Sequence, residues 1–168
     1  GKKFSLDEKI YIKNSKVKNF VKKKINYEKS LDQNIKIIKG TNFDYFSEEA
    51  KNKFFKEEFL VTNLSDRMGM RLEGPKLDNI VNTNIKSEGL VKGVVQVPAD
   101  GNPIILFSDH GSIGGYPKIA VVITADHDMT AQLIPGSKIK FKEVNLDEAE
   151  ELFKSYFNET KNYIEQIK

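Results

Sequence analysis

Apolar and polar positions alternate in short runs along most of this chain, too brief for long helices and well suited to strands. IKII at Ile35 to Ile38, closed by Gly40, is the pattern of a strand ended by a turn. FLVTN at Phe59 to Asn63 is a second strand. In SDRMGMRLEGP, Met68, Met70 and Leu72 alternate with Gly69 and Arg71 in period two. That spacing places Arg67, Gly69, Arg71 and Glu73 on the face opposite the methionines. LVKGVVQVP (Leu90 to Pro98), Ile104 to Phe107 and Ile119 to Thr124 are further strands, and the unbroken apolar run at Ile104 to Phe107 is expected to be buried on both faces. Ile139 and Phe141 point inward from SKIKFKEV while its lysines point outward. Asp100-Gly101 and Pro135-Gly136 reverse the chain between runs.

Helical spacing occurs early and late. Ser47 is a natural N-cap, with Glu48 and Glu49 in the favoured first turn and Ala50, Phe54 and Phe55 as the buried stripe. Asp126 or Asp128 caps a short helix through Leu133. Asn145, with Glu148 three residues on, opens a final helix. Its stripe is Ala149, Leu152, Phe153, Tyr156, Phe157, Tyr163, Ile164 and Ile167. Many short strands with helices at the edges define a mainly β fold, a closed or nearly closed barrel with peripheral helices. The barrel is expected over 35–145 and the C-terminal helix, packed on the barrel or on a partner, over 146–168. Residues 1–34 form a lysine-rich lead-in with a short strand at Lys9 to Lys13. The start at Gly1 reads as a cut or processed end.

Composition narrows the function classes. A formal charge of +3 is too small to imply nucleic acid, and the basic run Lys22 to Lys24 lacks an interleaved aromatic platform. No apolar run approaches the ~20 residues that span a bilayer. The chain has no cysteine, which excludes disulfides, thiolate metal sites and a cysteine nucleophile. No signal peptide is visible, and a cytoplasmic location is expected. Among 27 basic residues the only arginines are Arg67 and Arg71. Their planar, multi-donor heads serve either carboxylate recognition or a structural ion pair.

Three polar, glycine-bearing segments could carry chemistry. In the first, Arg67 and Arg71 could clamp a carboxylate, with Asp66 and Glu73 orienting them. In the second, Gln96 offers both donor and acceptor, suited to an amide or lactam, and Asp100 serves the turn. In the third, SDHGSIGGYPK, His110 could move protons, and Gly114-Gly115 could bring backbone amides to an anion. GGYPK is not a Walker loop. Ser112 lacks the nucleophile-elbow spacing. His110 and His127 without spaced carboxylates make no metal site, and His127 reads as a surface or capping residue.

SDRMGMRLEGP, SEGLVKGVVQVPADGNPIIL and DHGSIGGYPKIAVVITAD, in that order, resemble consecutive signatures of the KipA family. That family is also described as the C-type subunit of 5-oxoprolinase, allophanate hydrolase subunit 2 or biotin-dependent carboxyltransferase family protein. GTNFDYFSEEA resembles its GPQ-type approach to the first helix, and the resemblance runs from about Ile35 to Val144. It implies a cyclophilin-like β-barrel, this being the C-terminal one, and so makes residues 1–34 a remnant of, or link to, a missing N-terminal half. It implies ATP-dependent opening of 5-oxoproline to glutamate with a KipI-like B-type subunit and a LamB/YcsF-like A-type subunit, with ATP used at the level of the complex. Two alternatives remain open: the carboxyltransferase part of a biotin-dependent urea carboxylase or allophanate hydrolase system, and a non-catalytic binding module for a KipI-like partner. The residues on family motifs are Arg67, Arg71 and His110, assigned to catalysis, and Glu73, Gln96, Gly114, Gly115, Tyr116 and Lys118, assigned to substrate binding. The chain departs from the family at Ser112-Ile113, where Thr-Thr is usual, and at Thr41-Asn42, where Pro-Gln is usual.

Overall fold

The computed structural model describes residues 34–81 and 84–167. Nearly all of the lead-in, with its expected strand at Lys9 to Lys13, lies outside the described residues. In chain order the strands are β1 (Asn34–Lys39), β2 (Phe59–Val61), β3 (Gly69–Glu73), β4 (Glu88–Gly89), β5 (Val94–Gln96), β6 (Ile104–Leu106), β7 (Ile113–Gly114), β8 (Lys118–Val122) and β9 (Lys138–Glu143). The helices are α1 (Glu48–Lys56), α2 (His127–Ala131) and α3 (Leu146–Ile167), with 3₁₀ turns at Phe43–Tyr45 and Thr124–Asp126.

Seven strands close into a barrel in the order β1-β8-β5-β6-β3-β2-β9, and β9 returns beside β1. That last pair is parallel and the others are antiparallel. Closure removes the free edges that an open sheet of short strands would expose. The inward set of each strand follows the alternation in the sequence: Ile35 and Ile37 from β1, Met70 and Leu72 from β3, Ile139 and Phe141 from β9, all buried. Ser47 Oγ accepts the Ala50 N–H at 3.1 Å and starts α1, whose Phe54 stacks on Phe141 with ring centroids 4.3 Å apart. Among the described residues no helix is long and apolar enough to cross a membrane.

Four local expectations are corrected. Met68 precedes β3 and is exposed, because the Asp66 carboxylate accepts the Met68 and Gly69 N–H groups and turns the chain there. Arg67 therefore does not share the strand face of Arg71 and Glu73. Asp126 stands at the start of α2 without capping it; its carboxylate accepts from the Lys36 backbone N–H at 2.9 Å and from Lys36 Nζ. In α3, Ala149, Leu152 and Tyr156 pack on the barrel, while Phe153, Phe157 and Ile164 remain exposed. Asn145 Oδ1 accepts the Glu148 N–H at 2.8 Å, as its position before that helix requires.

Candidate functional site

β4 and β7 pair with each other outside the barrel, forming a small flap over the outer surface of β5 and β6. Between flap and barrel lies a cleft of about 310 Å³. Ile104 and Leu106 of β6 form its apolar floor, and Arg71, Gln96, His110, Gly114, Gly115 and Tyr116 border it. Residues distant in the sequence are gathered because β3, β6 and β5 are neighbours in the barrel.

Gln96 is its most enclosed polar group, only 5% exposed. The β5–β8 register shifts between Val95 and Gln96, an irregularity that re-aims side chains and recurs beside active sites. Gln96 Nε2 donates to the Tyr116 carbonyl at 3.1 Å. Directly above, a Cβ on Gly114 would sit 2.8 Å from Leu90 Cδ1 and 3.0 Å from Gln96 Nε2, so the flap closes this near only with glycine there. Neither Gly114 nor Gly115 has a positive φ; the described glycines that do are Gly93, Gly101 and Gly136. The expected anion nest needs alternating backbone hands and is therefore not formed. The diglycine serves close packing instead.

Lys118 does not border the cleft. Its ammonium, 7% exposed, is paired with the Glu88 carboxylate of β4, which ties the flap to the barrel. Its backbone is bracketed by Asn42: Lys118 N–H donates to Asn42 Oδ1 at 3.0 Å, and Asn42 N–H donates to the Lys118 carbonyl at 3.2 Å. Thr41-Asn42, one of the two departures from the family pattern, thus supplies a buried structural clamp. Sequence reasoning gave no structural role to Glu88, and marked Asn42 only as part of a departure from the family pattern. A polar residue beside glycine in Ser87-Glu88-Gly89 was the only signal for Glu88.

The arginines separate. Arg71 N–H donates to Ser65 Oγ at 3.0 Å, and the Thr62 N–H donates to the Arg71 carbonyl. Its guanidinium makes no ion pair among the described residues and stands at the rim of the cleft. Arg67 lines a different hollow of about 550 Å³, is 88% exposed, and pairs with Asp109 at 2.8 Å. The two-arginine clamp is absent. Because Asp109 is committed to Arg67, it does not orient His110. His110 Nδ1 lies 2.6 Å from the Gly111 carbonyl. A carbonyl only accepts, so Nδ1 carries the proton and Nε2 is the basic nitrogen. Glu73 borders a further hollow of about 450 Å³ that shares Arg71, Ile104 and Tyr116 with the cleft.

The His127 backbone N–H closes the 3₁₀ turn at Thr124–Asp126 as its C-cap, but the side chain is not a surface group. It is half-buried with Nε2 3.1 Å from the Val122 carbonyl, beneath Gly93, where a Cβ would come within 2.5 Å of the ring. Burial pushes its pKa below the ordinary 6.5, outweighing the Val122 hydrogen bond. Among the described residues no three acidic or imidazole groups gather as a metal site would require.

The profile of the family described as "Carboxyltransferase domain, subdomain A and B" matches residues 1–143. Over 115 residues the chain is 37% identical to the C-type subunit of 5-oxoprolinase from Escherichia coli (strain K12), covering 68% of this chain and 37% of that protein. The corresponding 5-oxoprolinase subunit of Haemophilus influenzae is 38% identical over 134 residues, 80% of this chain and 42% of that protein. The matched region thus spans 37% and 42% of the length of these two relatives. The crystal structure of the K. lactis urea amidolyase matches with a TM-score of 0.75 at 27% identity, covering 83% of this chain and 9% of that one.

Proposed function

Since the chain belongs to the carboxyltransferase-domain family of subdomains A and B, we propose that it is the C-type subunit of an ATP-dependent 5-oxoprolinase. In this role it opens 5-oxoproline to glutamate with KipI-like and LamB/YcsF-like subunits. The observation that carries the reading is the cleft, where a buried amide side chain, a guanidinium with no ion pair among the described residues and an imidazole border one small hollow. Gln96 commits one donor to Tyr116, and its Oε1 has no partner among the described residues. It accepts the lactam N–H. Arg71 holds the substrate carboxylate, and His110, its Nδ1 proton occupied, takes a proton from water at Nε2. In the net reaction the water oxygen bonds to the carbonyl carbon and the ring C–N bond breaks. Both water protons end on the nitrogen, which leaves as an ammonium beside a new carboxylate.

A nucleotide triphosphate does not fit the diglycine. No nest is formed there, and Lys118, the neighbouring cation, is committed to Glu88. The nucleotide is therefore assigned to the partner subunits. A second reading, the carboxyltransferase part of a biotin-dependent urea carboxylase, is favoured by the likeness to urea amidolyase. Biotin's ureido ring and urea present the same N–H and C=O edge as a lactam, which suits Gln96, and biotin would supply the carboxyl carrier.

Co-purification with the candidate partners, followed by an assay of glutamate release from 5-oxoproline and ATP, tests the reading. Gln96→Ala is expected to lower kcat/KM on the order of 10²-fold. Absence of glutamate release with every partner present rejects it. Urea carboxylation in the presence of a biotin carboxylase selects the second reading. Partner binding that survives loss of Arg71 and His110, with no turnover in either assay, leaves a non-catalytic module.

A further inference from the structure

The hollow beside the cleft is not used by that mechanism. It measures about 450 Å³, and its polar lining includes Thr62, Arg71, Glu73, Asp100, Asn102 and Tyr116. Arg71 and Glu73 are two residues apart on the outward face of β3, roughly 7 Å along the strand. They carry opposite charges, yet neither side chain makes an ion pair with the other or with any described residue. The Oδ1 of Asn102 is buried and accepts no hydrogen bond from the described residues, while its Nδ2 donates to Asp100 Oδ2 at 2.9 Å. A sealed acceptor without a donor is costly, and what it lacks is an N–H. Burial pushes the Asp100 carboxyl upward, but the side-chain and backbone hydrogen bonds from Asn102 and the nearby Lys76 outweigh it. The group is held below its usual range and stays ionised.

An acidic patch alone would attract any cation. Here a free guanidinium stands on the same strand face as a free carboxylate, and an orphaned acceptor lies in the same wall. That set complements a small molecule carrying both charges. We infer that this hollow is the subsite for a free α-amino acid, with Arg71 holding its carboxylate and Glu73 receiving its ammonium. The inference rests on the lactam-opening reading and extends it. A lactam has no ammonium until its ring opens. Because Arg71 and Tyr116 border both hollows, the opened product keeps its carboxylate on Arg71 while its new ammonium swings away from Gln96 toward Glu73. The charge created by the reaction thus draws the product out of the cleft.

Isothermal titration of the full 168-residue chain with L-glutamate, glutarate and 5-oxoproline tests this. L-glutamate is expected to bind about tenfold tighter than glutarate, which lacks the ammonium. Glu73→Gln should erase that difference. Equal affinity for glutamate and glutarate, or a ratio that Glu73→Gln does not move, overturns the inference. In either case, 5-oxoproline binding that is lost in Gln96→Ala leaves the cleft reading standing. If 5-oxoproline does not bind either, both fall.

Discussion

Strand β8 begins beneath the β4–β7 flap and ends beside α3, and the two coverings are built from different chemistry. At the α3 end, Ala149, Leu152 and Tyr156 pack on Ile38, Ile123, Ala125 and Val144, the ordinary burial of one stripe of an amphipathic helix. A hydrogen bond from the Tyr156 hydroxyl to Asp128 secures it. At the flap end the contacts are a buried ammonium on a carboxylate, a buried amide on a carbonyl, and a glycine pressed against both Leu90 and the amide. Apolar packing is forgiving of shape and needs no polar partners. A polar covering is demanding, because each buried group must be matched. On the flap side these demanding contacts stand beside the cleft, and the proposed working side rests on that coincidence.

The largest effect that would break this contrast is at Glu88. Glu88→Ala strands the nearly sealed Lys118 ammonium and should cost about 3–5 kcal/mol, read as a lowered denaturation midpoint. Lys118→Met, which removes the charge itself, should cost less. If the two variants are equal, the pair is not what ties the flap. Gly114→Ala should follow at about 1–3 kcal/mol from overpacking against Leu90 and Gln96. It should also displace Gln96 and weaken 5-oxoproline binding by more than the stability loss implies. Tyr156→Phe, on the helix side, should cost about 1 kcal/mol and leave ligand binding unaltered. A binding defect there would erase the distinction between the two sides.

The smallest effect is a slope with pH at His127, the first residue of α2. Its folded pKa lies below the ordinary 6.5 because burial disfavours the charged ring. The unfolded chain therefore takes up the proton first. Stability is full above pH 6.5 and declines as pH falls from there through the lower folded value. Urea midpoints measured between about pH 7.5 and about pH 5, flattened in His127→Gln, check the sign.

The barrel strands, the caps at Ser47 and Asn145, and the turns at Gly101 and Gly136 were legible in the sequence, because each depends on neighbours a few residues away. Alternation separates core from solvent locally: Ile35 and Ile37, or Ile139 and Phe141, could point inward in any barrel of this kind. Much of the cleft border was also readable, since Arg71, Gln96 and His110 lie in the polar, glycine-bearing segments and Tyr116 on the family motif that the chain resembles. Only the closed barrel decided the pairings across it. It gave Lys118 to Glu88 and Arg67 to Asp109, folded His127 under Gly93, and used the diglycine as a spacer. Those choices turn on which distant strand lies alongside. Periodicity tells a side chain whether it meets water or core, and carries no record of the partner that will meet it there.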